Sequence, residues 1–495
     1  MKQGWGRNML MLTLTLTLIV PLLAACTKKE EVVPPGQERI LRIGFQSDFA
    51  NDTTIRQQYI DAFEMTNPNV RIELVPSINY EEQRFEPYDP KKKAPDVKAT
   101  WNKLLEGANA VDVVIVKSNG FRQLAADGKL AKLDERIVQD KFDTSDIVPV
   151  VYDALKELGD GNVYGLAPTF SSSVLLYNKK LFQDAGVEFP KDGMTWDEVF
   201  TLAARVSKGE GADRKYGFSF SPYNSSHYAD IKRAYITPLQ LQVFDSKADK
   251  MLVNSDKWLQ VWESISKLYK DKIVPGQEIW NSDNPQTNEG PFSHDLFMSG
   301  RLAMTVSDMN YINSETIRAM QNASKIKNFK PFEWDVVTIP FHAEAPQVSG
   351  LVDLTDIFAI NAKAPNAGDA WDFVRYVNGD NWAKVRSRSS SYDMVTRKAH
   401  LKPAAGESFN IAAFFSGKFI IPAEQKLSDL YRNKQDLYLV DYLGDEKFLE
   451  VITNKKSTQS ALAEWETKGN EMLSKIKNGV SIMDEGKYGV EGPGH

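Results

Sequence analysis

Apolar and polar residues alternate from the start of the foldable chain. Leu41, Ile43 and Phe45 are separated by other residue types, a strand pattern that ends at Gln46-Ser47-Asp48. Ile55, Tyr59, Ala62 and Phe63 then recur at helical spacing up to the break at Asn67-Pro68-Asn69. Val70, Ile72 and Leu74 alternate again, so a strand–helix–strand unit opens an α/β architecture. The charged stretch 80–100 contains three prolines and predicts a surface insertion. Residues 111–116 are nearly all apolar, as in a strand buried on both faces. Ser118-Asn119-Gly120 then turns the chain into a helix over 121–130.

Residues 164–208 hold three signals in succession. Val174-Leu175-Leu176-Tyr177 is a β-prone run, followed by Asn178-Lys179-Lys180 and a short helical pattern ending at Gly186. Pro190 and Gly193 break the chain. Thr195 with Glu198 three residues on forms a capping box, and behind it Trp196, Phe200, Ala203 and Val206 share one helical face. Further on, 216–220 reads as a strand running into Ser221-Pro222-Tyr223-Asn224. Trp258, Val261, Trp262, Ile265 and Leu268 make a helical stripe of the kind that packs a core. Residues 292–298 predict a helix closed by Gly300, and 302–306 and 355–361 predict strands. Asn366 and Asp369 can cap a helix carrying Ala370, Phe373, Val374 and Val377. Beyond Leu401 the chain is helical and aromatic-rich, with Trp465 and Met472 as packing residues and Tyr431 and Tyr438 as ligand candidates.

These pieces, in this order, resemble the signature of the extracellular solute-binding proteins of ABC importers, family 1, of the carbohydrate type. Tyr164-Gly165-Leu166-Ala167-Pro168 stands where the family has its crossing segment, Tyr177-Asn178-Lys179 its strand end, and Thr195-Trp196-Asp197-Glu198 its helix start. Phe297-Met298-Ser299-Gly300-Arg301-Leu302-Ala303-Met304 is similar to a second marker, and 334–340 to the return crossing. The resemblance implies an α/β fold: a two-lobed, type II periplasmic-binding-protein-like clamshell, each lobe a sheet flanked by helices. Lobe 1 is expected from 39–167 plus 340–405 and lobe 2 from 168–339 plus 406–490, with crossings near Pro168 and Pro340. It also implies a binder without catalytic residues, which hands a carbohydrate, an oligosaccharide, to a membrane permease with its own ATPase subunits.

Ligands of α/β sheets gather beyond the carboxyl ends of the strands. That rule selects Gln46, Ser47 and Asp48, then Ser118 and Asn119, although Asp48 and Asn119 suit helix caps or turns equally well. Thr169 and Ser171 belong to a run of hydroxyls at the first crossing. Sugar-binding members of the family stack an aromatic after a proline, where this chain has Tyr223, with Asn224 beside it. Trp280 lies in a polar loop as a ligand aromatic or a loop anchor. Where the family often carries a ligand-contacting Trp this chain has Ser307-Asp308-Met309-Asn310-Tyr311, which passes the role to Tyr311. Asp48, Asp308 and Asp353 suit hydroxyl partners and equally a cation.

The chain has 495 residues, which suggests two or more lobes, and a formal net charge of −6. That balance speaks against nucleic acid as a partner, since a phosphate-backbone binder needs basic patches. The N-terminus adds a compartment. Lys2 and Arg7 precede an apolar run over 9–25, and Leu23-Ala24-Ala25-Cys26 matches a bacterial lipobox. Residues 1–25 therefore read as a lipoprotein signal peptide and 26–38 as a lipid-anchored tether on the extracellular face of the cell membrane. Cys26 is the chain's single cysteine, so it has no disulfide partner within the chain. Cleavage before it removes Lys2 and Arg7 and takes the charge from −6 to −8.

No Walker loop, HExxH, CxxC or GxSxG occurs, and no two of the five histidines have zinc-ligand spacing. Neither a metal nor a cofactor is expected; Asp283-Asn284 with Glu289 lacks the acidic alternation of a calcium loop. The expected state is a monomer. Two other readings stay open on sequence alone: a secreted polysaccharide-degrading enzyme with a carboxylate pair, and a ligand-sensing accessory lipoprotein.

Overall fold

A computed structural model of the chain describes residues 38–46, 51–79, 95–223, 228–276, 279, 292, 295–349, 351–388, 393–403 and 406–482. Its strands are β1 (Arg39–Phe45), β2 (Val70–Pro76), β3 (Val113–Val116), β4 (Gly165–Leu166), β5 (Thr169–Phe170), β6 (Ser173–Asn178), β7 (Met304–Asp308), β8 (Trp334–Val337), β9 (Ile357–Ile360) and β10 (Met394–Val395). The principal helices are α1 (Ser118–Ala126), α2 (Trp196–Val206), α3 (Asp256–Lys270), α4 (Ala367–Val377), α5 (Leu437–Ile452) and α6 (Thr458–Lys477).

One sheet has the order β2-β1-β3-β9-β4, parallel through β1, β2 and β3 and antiparallel at β9. The second has the order β7-β6-β8, and β5 pairs with β10 as a separate two-stranded ribbon. The chain thus leaves the first sheet at β4, enters the second at β6, and returns from β8 to β9. Strand β6 is buried on both sides: Val174 and Leu176 join the core of the first sheet, whereas Leu175 and Tyr177 join a second core. Period-two alternation within one strand ties the two cores together.

The second core explains how α2 is held. The Thr195 Oγ1 accepts from Glu198 N at 3.3 Å and Glu198 Oε2 accepts from Thr195 N at 2.7 Å, which starts α2 as the capping box predicts. Helix α2 buries Trp196, whose ring touches Phe200, Phe218, Phe220 and Tyr235 at centroid distances of 5.5–5.9 Å. Gly217 lets 216–220 press onto this helix; a Cβ there would sit 2.6 Å from Ala203 Cα. Residues 216–220 meet the second sheet through two isolated bridges, Tyr216↔Leu302 and Ser219↔Thr305, and not as the continuous strand expected. The approach to α2 holds them at the sheet edge. Likewise 296–300 forms turns closed by Gly300, where a helix was expected. Asn366 does not cap α4 with its side chain, which donates instead to Ile40 O and Asp112 Oδ2, while Asp369 pairs with Arg39 at 2.8 Å.

Candidate functional site

Three backbone pairings converge where the chain passes between the sheets. Phe170 pairs with Met394, Ser171 bridges Asp353, and Ser173 pairs with Asp308. The serine run is therefore flanked by Asp353, Asp308 and, next to Met394, Asp393. The charges of Asp356, Asp353 and Asp308 all act on Asp393, whose pKa is raised first by burial. Sequence reasoning selected Asp308 and Asp353 but missed Asp356 and Asp393, since only the topology brings β9 and β10 to this point.

From this floor a cavity of about 1190 Å³ opens between the two halves of the molecule. Its first wall is Ser118 and Asn119, at the carboxyl end of β3; Val352 and Asp353 lie on the crossing. Its other wall comes from a helical run at 228–239 and from residues 419–445. That run is fixed from behind, because the buried Tyr228 accepts a hydrogen bond from Trp262 Nε1 of α3 at 3.0 Å. It presents Lys232 and Arg233 to the cavity. Arg122 of α1 reaches Gln425 O at 2.8 Å, so the two walls touch at one end.

Electrostatics in the cavity are close to balanced. Its lining holds Lys232, Arg233 and Arg432 against Asp353, Glu424, Asp441 and Asp445. Lys232 pairs with Glu424 at 3.0 Å and lies 3.9 Å from Asp441; burial opposes its charge, but the two carboxylates outweigh burial and raise its pKa. Asp353 is open to solvent yet crowded by protein atoms, as in a wide concavity. Burial raises its pKa, and Arg233 on one wall and Lys117 on the other pull it down. Ser118 Oγ is buried on the wall without a hydrogen-bond partner.

The remaining sequence candidates divide by placement. Gln46 is exposed at the end of β1. Thr169 is buried, its hydroxyl 2.8 Å from that of Thr355, and so is occupied within the protein. Asp308 is exposed and accepts from Tyr311 N at 2.9 Å as a helix cap. Tyr223 is 52% exposed, and its ring meets Tyr311 edge to face at 5.5 Å. Burial together with the charges of Glu315, Asp295 and Asp308 pushes the Tyr223 pKa up to about 12, so its hydroxyl stays a donor at neutral pH. Tyr311 itself is not presented to the cleft: it is buried and donates to Asp295 Oδ2 at 2.7 Å, supporting Tyr223 from behind. Ser47, Asp48, Asn224, Trp280 and Cys26 lie outside the described residues, as does the stretch 283–289.

Residues the sequence signalled weakly or not at all occupy the far wall. Lys232 and Arg233 carried no pattern. Tyr431 and Tyr438, both ligand candidates from the sequence, line the cavity together with Tyr442, which stands one helical turn from Tyr438 on α5 and which the sequence did not single out. Among the described residues no group of three or more His, Cys, Asp or Glu is placed to hold a metal ion. No helix among them is long and apolar enough to cross a membrane.

Comparison with known proteins adds a lineage. Residues 58–392 match the family described as bacterial extracellular solute-binding protein. A binding protein of Brucella abortus (strain 2308) is 22% identical over 294 residues, which cover 57% of this chain and 64% of the relative. The match thus spans just under two thirds of that relative's length. Among solved structures, a sugar transporter protein from Rhizobium etli in an open conformation aligns with a TM-score of 0.59 at 18% identity, over 88% of this chain and 99% of that one. The sugar-binding protein MalE from Xanthomonas citri aligns with a TM-score of 0.58 at 16% identity, over 89% and 98%. Identities this low speak for the fold, a two-lobed α/β architecture with each sheet flanked by helices.

Proposed function

The chain belongs to the bacterial extracellular solute-binding proteins, and we propose that it captures a carbohydrate, an oligosaccharide, in the cleft between its lobes and delivers it to an ABC importer. The observation that carries this reading is the composition of the cavity: tyrosine faces on one wall, hydroxyl and amide groups on the other, and near-balanced charge. Aromatic rings cover the apolar faces of a sugar, while carboxylates, amides and hydroxyls take its hydroxyl groups. The lining carries charges of both signs, Lys232, Arg233 and Arg432 against Asp353, Glu424, Asp441 and Asp445, and so lacks the strong net charge that a phosphate or a simple cation would call for. In this reading lobe 1 is 39–167 plus 340–405 and lobe 2 is 168–339 plus 406–490, pivoting about the paired crossings at Ser171 and Asp353.

Transport needs no reaction, only a ligand that binds the closed form better than the open one. Asn119 and Ser118 on one lobe and Arg233 on the other can contact one ligand together only when the lobes approach. Each contact made only in the closed form shifts the population toward it, and the permease accepts that form. Cys26 carries the lipid, and 26–38 is the tether; at full extension 27–38 spans roughly 40 Å, enough to leave the lobes free above a membrane.

Thermal melting of the mature protein against a panel of mono- and oligosaccharides tests the reading. A saturable rise in melting temperature, weakened by Asn119→Ala, is the expected result. A panel in which only phosphate esters or amino acids raise the melting temperature overturns it, and so does turnover of the bound glycan.

A further inference from the structure

A groove of about 400 Å³ lies on the half of the molecule built around the first sheet, away from the cleft. Its charged groups are Lys132, Arg136 and Lys363, and no carboxylate lines it, whereas the cleft lining mixes both signs. Two of these cations are held by neutral partners: Arg136 Nη1 donates to Ala367 O at 2.9 Å and Lys132 Nζ to Asn162 Oδ1 at 3.0 Å. Lys363 is exposed and stands 3.9 Å from a Glu106 oxygen that already accepts from Lys129 at 2.8 Å. Other carboxylates on this part of the surface are taken up elsewhere, Asp369 by Arg39 at 2.8 Å, Asp134 by Val163 N at 3.1 Å and Asp140 by Trp371 Nε1. Among the described residues Lys132 and Arg136 make no ion pair, so a concave surface of one sign stands on a chain whose net charge is negative.

The sheet topology fixes where this groove faces. Strand β3 leads to Ser118 at the cleft, and β9 runs antiparallel to it, so the carboxyl end of β9 at Ile360 and Asn361 lies at the opposite end of the sheet. Strand β1 runs parallel to β3, which puts its first residue, Arg39, at that same far end. Side chains agree with the register. Asn366, next to Ala367 of the groove, donates to Ile40 O, and Arg39 bonds Asp369 in the first turn of α4. The chain that leads from Cys26 therefore joins the fold beside the groove, on the side away from the cleft. Residues 27–38 span roughly 40 Å at full extension, and a tether this short keeps its attachment end at a high effective concentration near the surface that holds it.

We propose that the groove of Lys132, Arg136 and Lys363 docks on the phosphate headgroups of an anionic phospholipid surface, the outer face of the membrane that holds the tether. The proposal rests on the lipid-anchor reading of Cys26 and adds an orientation to it. Phosphate oxygens suit a guanidinium and two ammonium groups on one concave rim. Each basic side chain near an anionic surface contributes about a fivefold gain in contact, and the tether makes so weak a contact sufficient. Docked this way, the cleft opens away from the membrane toward arriving solute, and the tether lets the protein turn over before a permease in the same membrane meets the cleft.

The test couples the mature chain, through its single thiol at Cys26, to a maleimide phospholipid in vesicles of phosphatidylcholine with or without phosphatidylglycerol. Acylation of lysines, read by mass spectrometry, reports which face is shielded. On the anionic vesicles labelling of Lys132 and Lys363 is expected to fall about fivefold or more, while Lys117, exposed at the cleft end of β3, labels as before. High salt should restore the labelling. Lys363→Glu is expected to restore it at Lys132 while melting close to the parent, since the Lys363 side chain is exposed. Equal shielding on neutral vesicles overturns the role of charge, and shielding of Lys117 in place of the groove lysines overturns the orientation. Protection of both groove lysines by inorganic phosphate without vesicles marks a free-anion site and overturns the membrane as partner. Mass spectrometry of the protein isolated from its own membrane reports the anchor separately: an unmodified Cys26 overturns the anchor reading, and the proposal with it, even where the coupled protein docks.

Discussion

Ser171 and Asp353 exchange both backbone hydrogen bonds, each N–H donating to the other's carbonyl at 2.9 Å. The two chain segments that pass between the sheets are thereby stitched at one point. A fully paired crossing can twist, but separating its strands would strand four backbone groups, two N–H and two C=O, in the cleft floor. The bridge uses only main chain, so the Asp353 carboxylate remains available to the cavity.

Asp353→Asn should therefore leave the bridge intact while removing the charge that Arg233 and Lys117 both act on. The expected change in stability is within about 0.5 kcal/mol. Ligand affinity should fall by about 1.5–3 kcal/mol if the carboxylate accepts ligand hydroxyls, the usual range for hydrogen bonds to charged groups. Chemical denaturation and ligand titration of the same variant separate the two effects.

Asp295 predicts a pH dependence. Burial raises its pKa to about 6, against the pull of the Met298 backbone N–H and the Tyr311 hydroxyl. Between its unfolded value of 3.8 and about 6 the folded protein holds the extra proton, so stability falls as pH rises through this window. A shift of this size corresponds to about 3 kcal/mol. Asp295→Asn can still accept from Met298 N and donate to Tyr311. It should match the parent below pH ~4 and exceed it by up to about 3 kcal/mol above the folded pKa. Urea denaturation at a series of pH values checks this, and an unchanged pH slope in the variant would sink it.

How much of this was legible in the chain follows the range of the forces involved. The capping box of Thr195 and Glu198, the alternation in β1 and β2 and the apolar run of β3 are local, and the structure has them where the pattern puts them. Residues 216–220 looked like a strand because their alternation is right. Gly217 instead lets them press against α2, a decision made 14 residues away. Tyr311 looked like a cleft aromatic, but its fate depended on Asp295, which buries its hydroxyl. Arg233 and Tyr442 carried no local mark, because what brings them to the same cavity as Ser118 is the packing of helical segments more than 100 residues away from it in sequence.

Lys447 tests how the α5–α6 pair is held. Its side chain is buried just under the surface, with Glu446, Glu450 and Glu464 at 2.9, 3.0 and 3.1 Å; Lys456 also bonds Glu450 and Glu464. Replacing it by Ala leaves three carboxylates converging on a gap. Removing one partner of a buried pair costs about 3–5 kcal/mol, and the partly exposed glutamates reduce this to about 2–3 kcal/mol. Denaturation at low and high salt measures it: the loss should shrink as salt screens the carboxylates. A loss that salt does not change would mean packing of the Lys447 stem, and not charge, secures the helix pair.

Gly444 links that helix pair to the cleft. Helix α5 passes so close to α6 that a Cβ on Gly444 would sit 2.6 Å from Trp465 Cη2. Trp465 cannot give way: its Nε1 donates to Val440 O at 2.9 Å, and its ring stacks on Trp262 at 5.5 Å and meets Trp258 edge to face at 5.6 Å. An alanine at this position gains about 1 kcal/mol of helix propensity, but overpacking a rigid site costs about 1–3 kcal/mol and sometimes more. The expected balance for Gly444→Ala is a loss of up to about 2 kcal/mol, with α5 pushed away from α6. Since α5 carries Tyr438 and Tyr442 two turns or less from this point, ligand affinity should fall in the same variant, although no ligand-facing side chain has changed. The double variant Gly444→Ala, Trp465→Phe makes room for the new methyl group and should regain part of both losses. Melting and titration of the three proteins decide the matter: affinity unchanged in Gly444→Ala would uncouple the α5–α6 contact from the cleft.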